Sequence, residues 1–501
     1  MIGLLFSLSS LVSCLVPAGT QLHVRLTSDV GSYASKPGSP IRAVLIAPVL
    51  VNGVTLVPAG ATLSGQVKAV TRVGLGIRHE TASLDLNFDR LTPPDSPSLP
   101  LASRVADVDN GRERVSPDGR IHGIRATNSL CYRVSGYLRM LFPWELHAEI
   151  AEWAIKSLIA ELPEPEIYYP AGVELTLTLK KPLLVNIPDP APESTERLFS
   201  AERAELNGAM SKLPDQTVDP SSGRPSDLTN VLLLGSRDDI VTAFTAAGWA
   251  PATSVSLRQR IKLIRAAAEL HGDRAGPMSA LSLDGVEPAM SWEKGFNDVA
   301  KRHHVRIWRA GAWRGRDLWV GAATRDIDFA YLRPGQALTH KIDENIDQER
   351  DKVAYDLAFT TCSDLLDWTE RPDLPRVSRN GTGDPMITDG RVAIIGLTDC
   401  PSPRLATETV DSEPLPRHGR RVQRFVRREI LSARNDALRT NLYWRAFEGG
   451  RIAFSYAHRR WEQNLARQAA LRQLAVAPPV PPLETALPPS SRETSRIAAL
   501  P

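Results

Sequence analysis

Three short segments of the chain repeat one pattern of polar and apolar positions. Val16-Pro17-Ala18-Gly19-Thr20 precedes the alternating Gln21 to Leu26, and Val57-Pro58-Ala59-Gly60-Ala61 precedes Thr62 to Val67. Tyr169-Pro170-Ala171-Gly172-Val173 precedes Glu174 to Leu179. Proline presets φ and glycine accepts a positive φ, so Pro-x-Gly is a turn. The two-residue alternation after it is a half-buried strand. Ser83 to Phe88 alternates in the same way. Repeated short strands with turn signals predict a small β-barrel or sandwich over 17–187. Within it, Leu146, Ile150, Trp153, Ala154, Leu158 and Ile159 fall at helical spacing, predicting a helical insertion at 145–161.

The pattern changes after a Pro-, Ser- and acid-rich stretch, 188–228, which reads as a connection with a short helical piece inside it. Val231 to Leu234 is a buried-strand run. Ile240, Val241, Phe244 and Ala247 then line one face of a helix that Gly248 ends. Gly235-Ser236 opens that helix, and a helix start can hold phosphate; one glycine is far from a phosphate loop, so a structural role is expected. A second amphipathic helix follows at 256–270. The runs around His304 to Arg309 and Leu318 to Ala323 read as paired strands, and 343–359 as a helix. The expected class is α+β and multidomain, with a β-rich first domain and an α/β second domain at 229–410.

The stretches LLLGS, AFTAAGW, HHVRIW, LWVGAATRDI and HKIDENIDQERD together resemble the C-terminal domain of LssY, a bacterial envelope and secretion-associated family, over about 229–410. The turn-and-strand pattern of the first domain resembles β-barrel domains of TrbI-type components of conjugation and secretion channels. The resemblances imply an envelope protein with an accessory role near secretion or membrane-lipid machinery, and envelope or secretion proteins as partners. LssY relatives often occur with membrane phosphatidic acid phosphatase domains. No such membrane domain is encoded here, so phosphatase activity is not implied.

The candidate chemistry lies in the second domain. His340, Asp343, Asp347 and Arg350 with Asp351 would share one face if the whole segment were helical. His303, His304, Asp326 and Asp328 lie near expected strand ends. Histidines with carboxylates can bind a divalent metal or act as acid and base. The candidate catalytic set is His304, Asp326, His340 and Asp347; the candidate metal set is His304, His340, Asp343 and Asp347. The alternative is structural: Asp343 and Glu344 cap a helix, Asp347 pairs with Arg350, Glu349 with Lys352, and Asp326 with Arg306. No H-E-x-x-H, G-x-S-x-G or phosphate-loop signature occurs. The leading expectation is a non-enzymatic binding or assembly module; the alternative is a metal-dependent hydrolase.

Charge adds one asymmetry. The net charge is +3, but 411–473 holds 14 Arg, no Lys and 6 acidic residues, so the remainder is near −5. This basic segment, 411–475, reads as helices broken at Gly449-Gly450, with Val422, Phe425, Val426, Ile430 and Leu431 on one face. That face can lie on a membrane or pack on the preceding domain, and packing is the expectation. Arginines mixed with Trp308, Trp313 and Trp319 can stack nucleic acid, but the modest overall charge argues against that partner.

The 39 prolines exceed the usual ~5%. They concentrate in connections and in a tail, 476–501, expected to be disordered. Residues 1–16 are apolar enough for a signal-peptide core, and Leu11-Val12-Ser13-Cys14 matches a lipobox, making Cys14 a candidate lipidation site. The expected location is therefore exported, periplasmic or membrane-associated. In that compartment Cys362 and Cys400 are candidates for a disulfide, with buried free thiols as the alternative.

Overall fold

A computed structural model describes residues 11–75, 80–129, 163–188, 198–252, 266, 278–331, 338–407 and 414–439, with scattered positions between 446 and 468. The expected helices at 145–161 and, but for Ala266, at 256–270 lie outside the described residues, as do Cys131 and the tail. The chain divides into a large unit, Met1–Phe447, and a small one, Glu448–Pro501. In the small unit the described positions are helical, and Phe454, Tyr456, Trp461 and Leu465 are exposed.

The repeated turns build the first half of the large unit. In all three, the glycine adopts a left-handed φ of 90–96°. Its N–H donates to a strand carbonyl at 2.8 Å: Gly19 to Leu179, Gly60 to Leu45 and Gly172 to Leu26. The strands that follow, Gln21–Leu26, Thr62–Thr71 and Glu174–Leu179, belong to one nine-stranded sheet. Its sides meet where Leu101 N–H donates to the Asp89 carbonyl at 2.8 Å and Ser103 Oγ to the Phe88 carbonyl at 3.2 Å, so it is nearly a closed barrel. Leu22, Val24, Leu26, Leu84, Leu86, Phe88, Leu175 and Leu177 alternate into its core. Leu11–Val16, inside the signal-like segment, is also a strand, antiparallel to Leu183–Pro188. Val16 is fully buried and Cys14 half-buried against the core.

The second half is an eight-stranded mixed sheet. Val231–Leu234 pairs antiparallel with Arg316–Tyr331 and parallel with Arg391–Leu397. Arg302–Trp313 and Arg316–Tyr331 form a long hairpin turning at Arg314-Gly315. Helices α1 (Ser200–Met210), α2 (Arg237–Ala246) and α3 (Ile346–Phe359) accompany this sheet, and α4 (Arg421–Arg439) follows it. Ser236 and Asp239 cap the α2 start reciprocally, Asp239 N–H to Ser236 Oγ at 3.1 Å and Ser236 N–H to Asp239 Oδ2 at 2.8 Å. Within the expected connection at 188–228, residues 198–228 are described and carry regular elements. Leu206 and Met210 of α1 pack into the sheet's core, and Gln216–Val218 pairs with Pro225–Leu228.

α4 departs from the expected orientation. Val422, Phe425 and Val426 are exposed, while Arg427 and Leu431 are buried. On the inward side Arg427 pairs with Glu164 at 2.8 Å, Arg434 pairs with Glu80, and Leu431 packs against Ala126.

Candidate functional site

Alternation along the hairpin splits its charged residues between two faces of the sheet. In register, Lys294 lies opposite His303, and His303 opposite Arg325; Glu293 lies opposite His304, and Arg302 opposite Asp326. Lys294, His303 and Arg325 meet the barrel. Glu293, Arg302, His304, Arg306 and Asp326 share the other face.

The face toward the barrel forms a dense, mostly buried charge cluster. The barrel supplies Arg25 and Glu174, cross-strand partners, with Asp109 and Asp107. The helix α3 supplies Glu349, Lys352 and Asp356. Glu174 Oε1 accepts from Arg25 Nη2 and Lys294 Nζ, both at 2.7 Å, and Glu174 Oε2 accepts from Lys352 Nζ. Asp356 accepts from Lys294 at 2.8 Å, Arg25 and Trp249 Nε1 at 3.1 Å, and Lys352 at 3.3 Å. His303 bridges Glu349 Oε2 (2.5 Å) and Asp109 Oδ2 (2.8 Å), and Arg325 reaches Asp109 at 3.0 Å and Asp107 at 3.8 Å.

Five basic groups thus face five carboxylates. Burial alone would push His303 down, but Asp109 and Glu349 outweigh it and its pKa is raised. Burial would likewise raise Glu174 and Asp109; Lys294, Lys352 and Arg25 hold Glu174 well below its usual range, and His303 with Arg325 does the same for Asp109. Beside this cluster a cleft of about 380 Å³ opens, lined among others by Gln21, His23, Asp109, His303, Lys352 and Tyr355. Two repeat turns seal the same seam: a Cβ on Gly172 would come within 3.2 Å of the Ala406 carbonyl, and one on Gly60 within 3.7 Å of Arg404.

The opposite face brings three of the four candidate catalytic residues together. Asp326 Oδ2 lies 2.6 Å from His304 Nε2 and 3.3 Å from His340 Nδ1, and His340 Nε2 lies 3.2 Å from Arg302. Burial lowers His304 despite Asp326. His340 falls to about 4 through burial, with Arg302 and His304 adding to it. Asp326 is held at about 2, because His304 and its neighbours outweigh burial. Both imidazoles turn their nitrogens onto one carboxylate oxygen. Among the described residues, no group of three or more His, Cys, Asp or Glu is arranged to hold a metal.

Asp347 is elsewhere. It accepts from Thr388 Oγ1 at 2.7 Å and Asp389 N–H at 2.6 Å and pairs with Arg350 at 3.2 Å. The shared helical face of His340, Asp343 and Asp347 does not form, because His340 lies in the strand Leu338–Ile342 and the helix begins only after Asn345. Asp343 Oδ1 accepts from Asn345 N–H (3.0 Å) and Asn345 from Asp347 N–H (3.2 Å), so both cap the helix. Glu349 and Lys352 do not pair with each other as expected; the barrel and His303 take them. Arg306 pairs with Asp227 at 3.0 Å and not with Asp326. Cys362 and Cys400 are disulfide-bonded, with Cα atoms 5.2 Å apart.

Sequence reasoning missed Arg25, Asp109, Glu174, Lys294 and Asp356. Arg25 and Glu174 occupy the polar phase of alternating strands, which reads as solvent-facing until a second domain covers it. The available signal was Lys352-x-x-x-Asp356, a one-turn charge pair on an otherwise core-facing helix.

Residues 210–392 match the family model described as LssY C-terminus. No curated protein matches the chain. Among solved structures, ComB10 of the Com type IV secretion system of Helicobacter pylori is similar over 35% of this chain and 92% of its own. Identity is 11% and the TM-score 0.20, too low to carry an argument. No described helix is long and apolar enough to cross a membrane.

Proposed function

We propose that this protein is an envelope-associated binding and assembly module, in which a barrel and an LssY-like domain act as one rigid body. The observation that carries this reading is the ten-group cluster between them, whose charges are spent on one another across the seam. Groups tied in this way position two surfaces; they are not available to a reacting substrate. The match to the LssY C-terminus supports an envelope or secretion setting. The Cys362–Cys400 disulfide supports an oxidising compartment. Partners are then envelope or secretion proteins. The test is cell fractionation with affinity purification of the full chain. Recovery from the envelope fraction with a stable partner and an oxidised Cys362 supports the reading; a cytosolic, reduced and partnerless protein defeats it.

A second reading, a metal-dependent hydrolase, is favoured by one observation: His304 and His340 are both held neutral beside Asp326, and neutral imidazole is the ligating form. Metal analysis of the full chain decides it. Near-stoichiometric divalent metal that His340→Ala removes would establish a metal centre. Equal metal content in both proteins would leave the module reading.

A further inference from the structure

A second cavity, of about 420 Å³, lies on the same seam, on the Arg404 side. Its walls come from three barrel segments, the end of α3 and the loop after Cys400. Three arginines line it, Arg25, Arg42 and Arg404, together with the hydroxyl residues Thr27, Thr62 and Ser64, and no acidic residue does. The rest of the lining is apolar, including Val44, Leu63, Phe359 and Leu405.

Arg25 has spent two of its nitrogens on Glu174 and Asp356, and its Nη1 has no hydrogen-bond partner among the described residues. Arg42 and Arg404 are in no ion pair there. Arg404 instead lies over the Phe359 ring at 4.8 Å, and Arg25 lies over the same ring at 5.3 Å. Stacking on an aromatic ring fixes a guanidinium plane while leaving its N–H edge for a planar or tetrahedral oxyanion. Leu405, at the rim, is half exposed.

We propose that this pocket binds an anionic amphiphile, with its oxyanion head on Arg42 and Arg404 and its aliphatic body along Val44 and Leu405. A cavity with several cations, no carboxylate and an apolar wall selects that combination of head and tail. The inference goes beyond the assembly reading and does not depend on it, since the pocket's charge and shape are independent of any partner.

The test is titration calorimetry of the full chain with decyl phosphate, decanoate and inorganic phosphate. Decyl phosphate or decanoate should bind, with affinity at least tenfold weaker in Arg404→Ala and in Arg42→Ala and unchanged in Arg309→Ala, an exposed arginine outside the pocket. All three variants change exposed side chains, and an unaltered melting midpoint confirms folding. Inorganic phosphate binding as tightly as decyl phosphate would overturn the amphiphile and assign the site to a free anion. Absence of binding by all three probes, or binding indifferent to both arginines, would overturn the pocket.

Discussion

Asp356→Asn tests whether the seam cluster holds the two halves together. The substitution keeps side-chain volume and removes one negative charge from beneath Lys294, Arg25, Trp249 and Lys352, all within 3.3 Å. Arg25, Lys294 and Lys352 are then left with Glu174, and with Asp109 at 3.7 Å from Lys352. Asp356 is 1% exposed, so water cannot take over its role. Removing one partner from a buried ion pair costs about 3–5 kcal/mol. Unfolding entropy near 2 cal/mol/K per residue, taken over a unit the size of Met1–Phe447, converts this to a fall of roughly 3–5 °C in the melting midpoint. Calorimetry of the full chain at neutral pH reads it directly. The loss should persist at high salt, because screening acts weakly on buried charges. Adding Lys294→Met, which removes a cation that lost one of its two carboxylate partners, should restore part of the loss. An unchanged or raised midpoint in Asp356→Asn, or a further fall in the double variant, would refute the reasoning.

Two more outcomes follow from the same geometry. His340 sits at about 4, below its ordinary 6.5, so the unfolded chain takes up the proton first and stability falls as pH drops from 6.5 toward 4. At 1.36 kcal/mol per unit the window is worth roughly 3 kcal/mol. Urea unfolding across that range should show the slope flattened in His340→Gln. His303 acts oppositely: its raised value stabilises the fold below 6.5, and that contribution is lost as pH rises through the raised value. Reducing the Cys362–Cys400 bond, whose residues are 38 apart, should cost about 4 kcal/mol on the loop-entropy account. Melting with and without reductant, and of Cys400→Ser, measures it; equal midpoints would exclude a contribution from the bond.

The strands and turns of the barrel were legible in the sequence because their signals are local. Proline and glycine at Pro17-Ala18-Gly19, Pro58-Ala59-Gly60 and Pro170-Ala171-Gly172 dictate backbone dihedrals wherever they stand. The alternation after each turn says which side chains go inward. The hairpin around Arg314-Gly315 and the start of α2 after Gly235-Ser236 were readable for the same reason. The helical face proposed for His340, Asp343 and Asp347 was not, because a strand end and an Asn345 cap interrupt a spacing that suits a helix. What only the tertiary structure decided is the fate of the charges. Arg25 and Glu174 have the spacing of solvent-facing residues, and they are buried because segments more than a hundred residues away in sequence lay Lys294, His303 and α3 over them. Adjacent histidines in His303-His304 take opposite electrostatic environments because a strand sends them to opposite faces. Local sequence sets the direction of a side chain; which partner waits there depends on how distant segments pack.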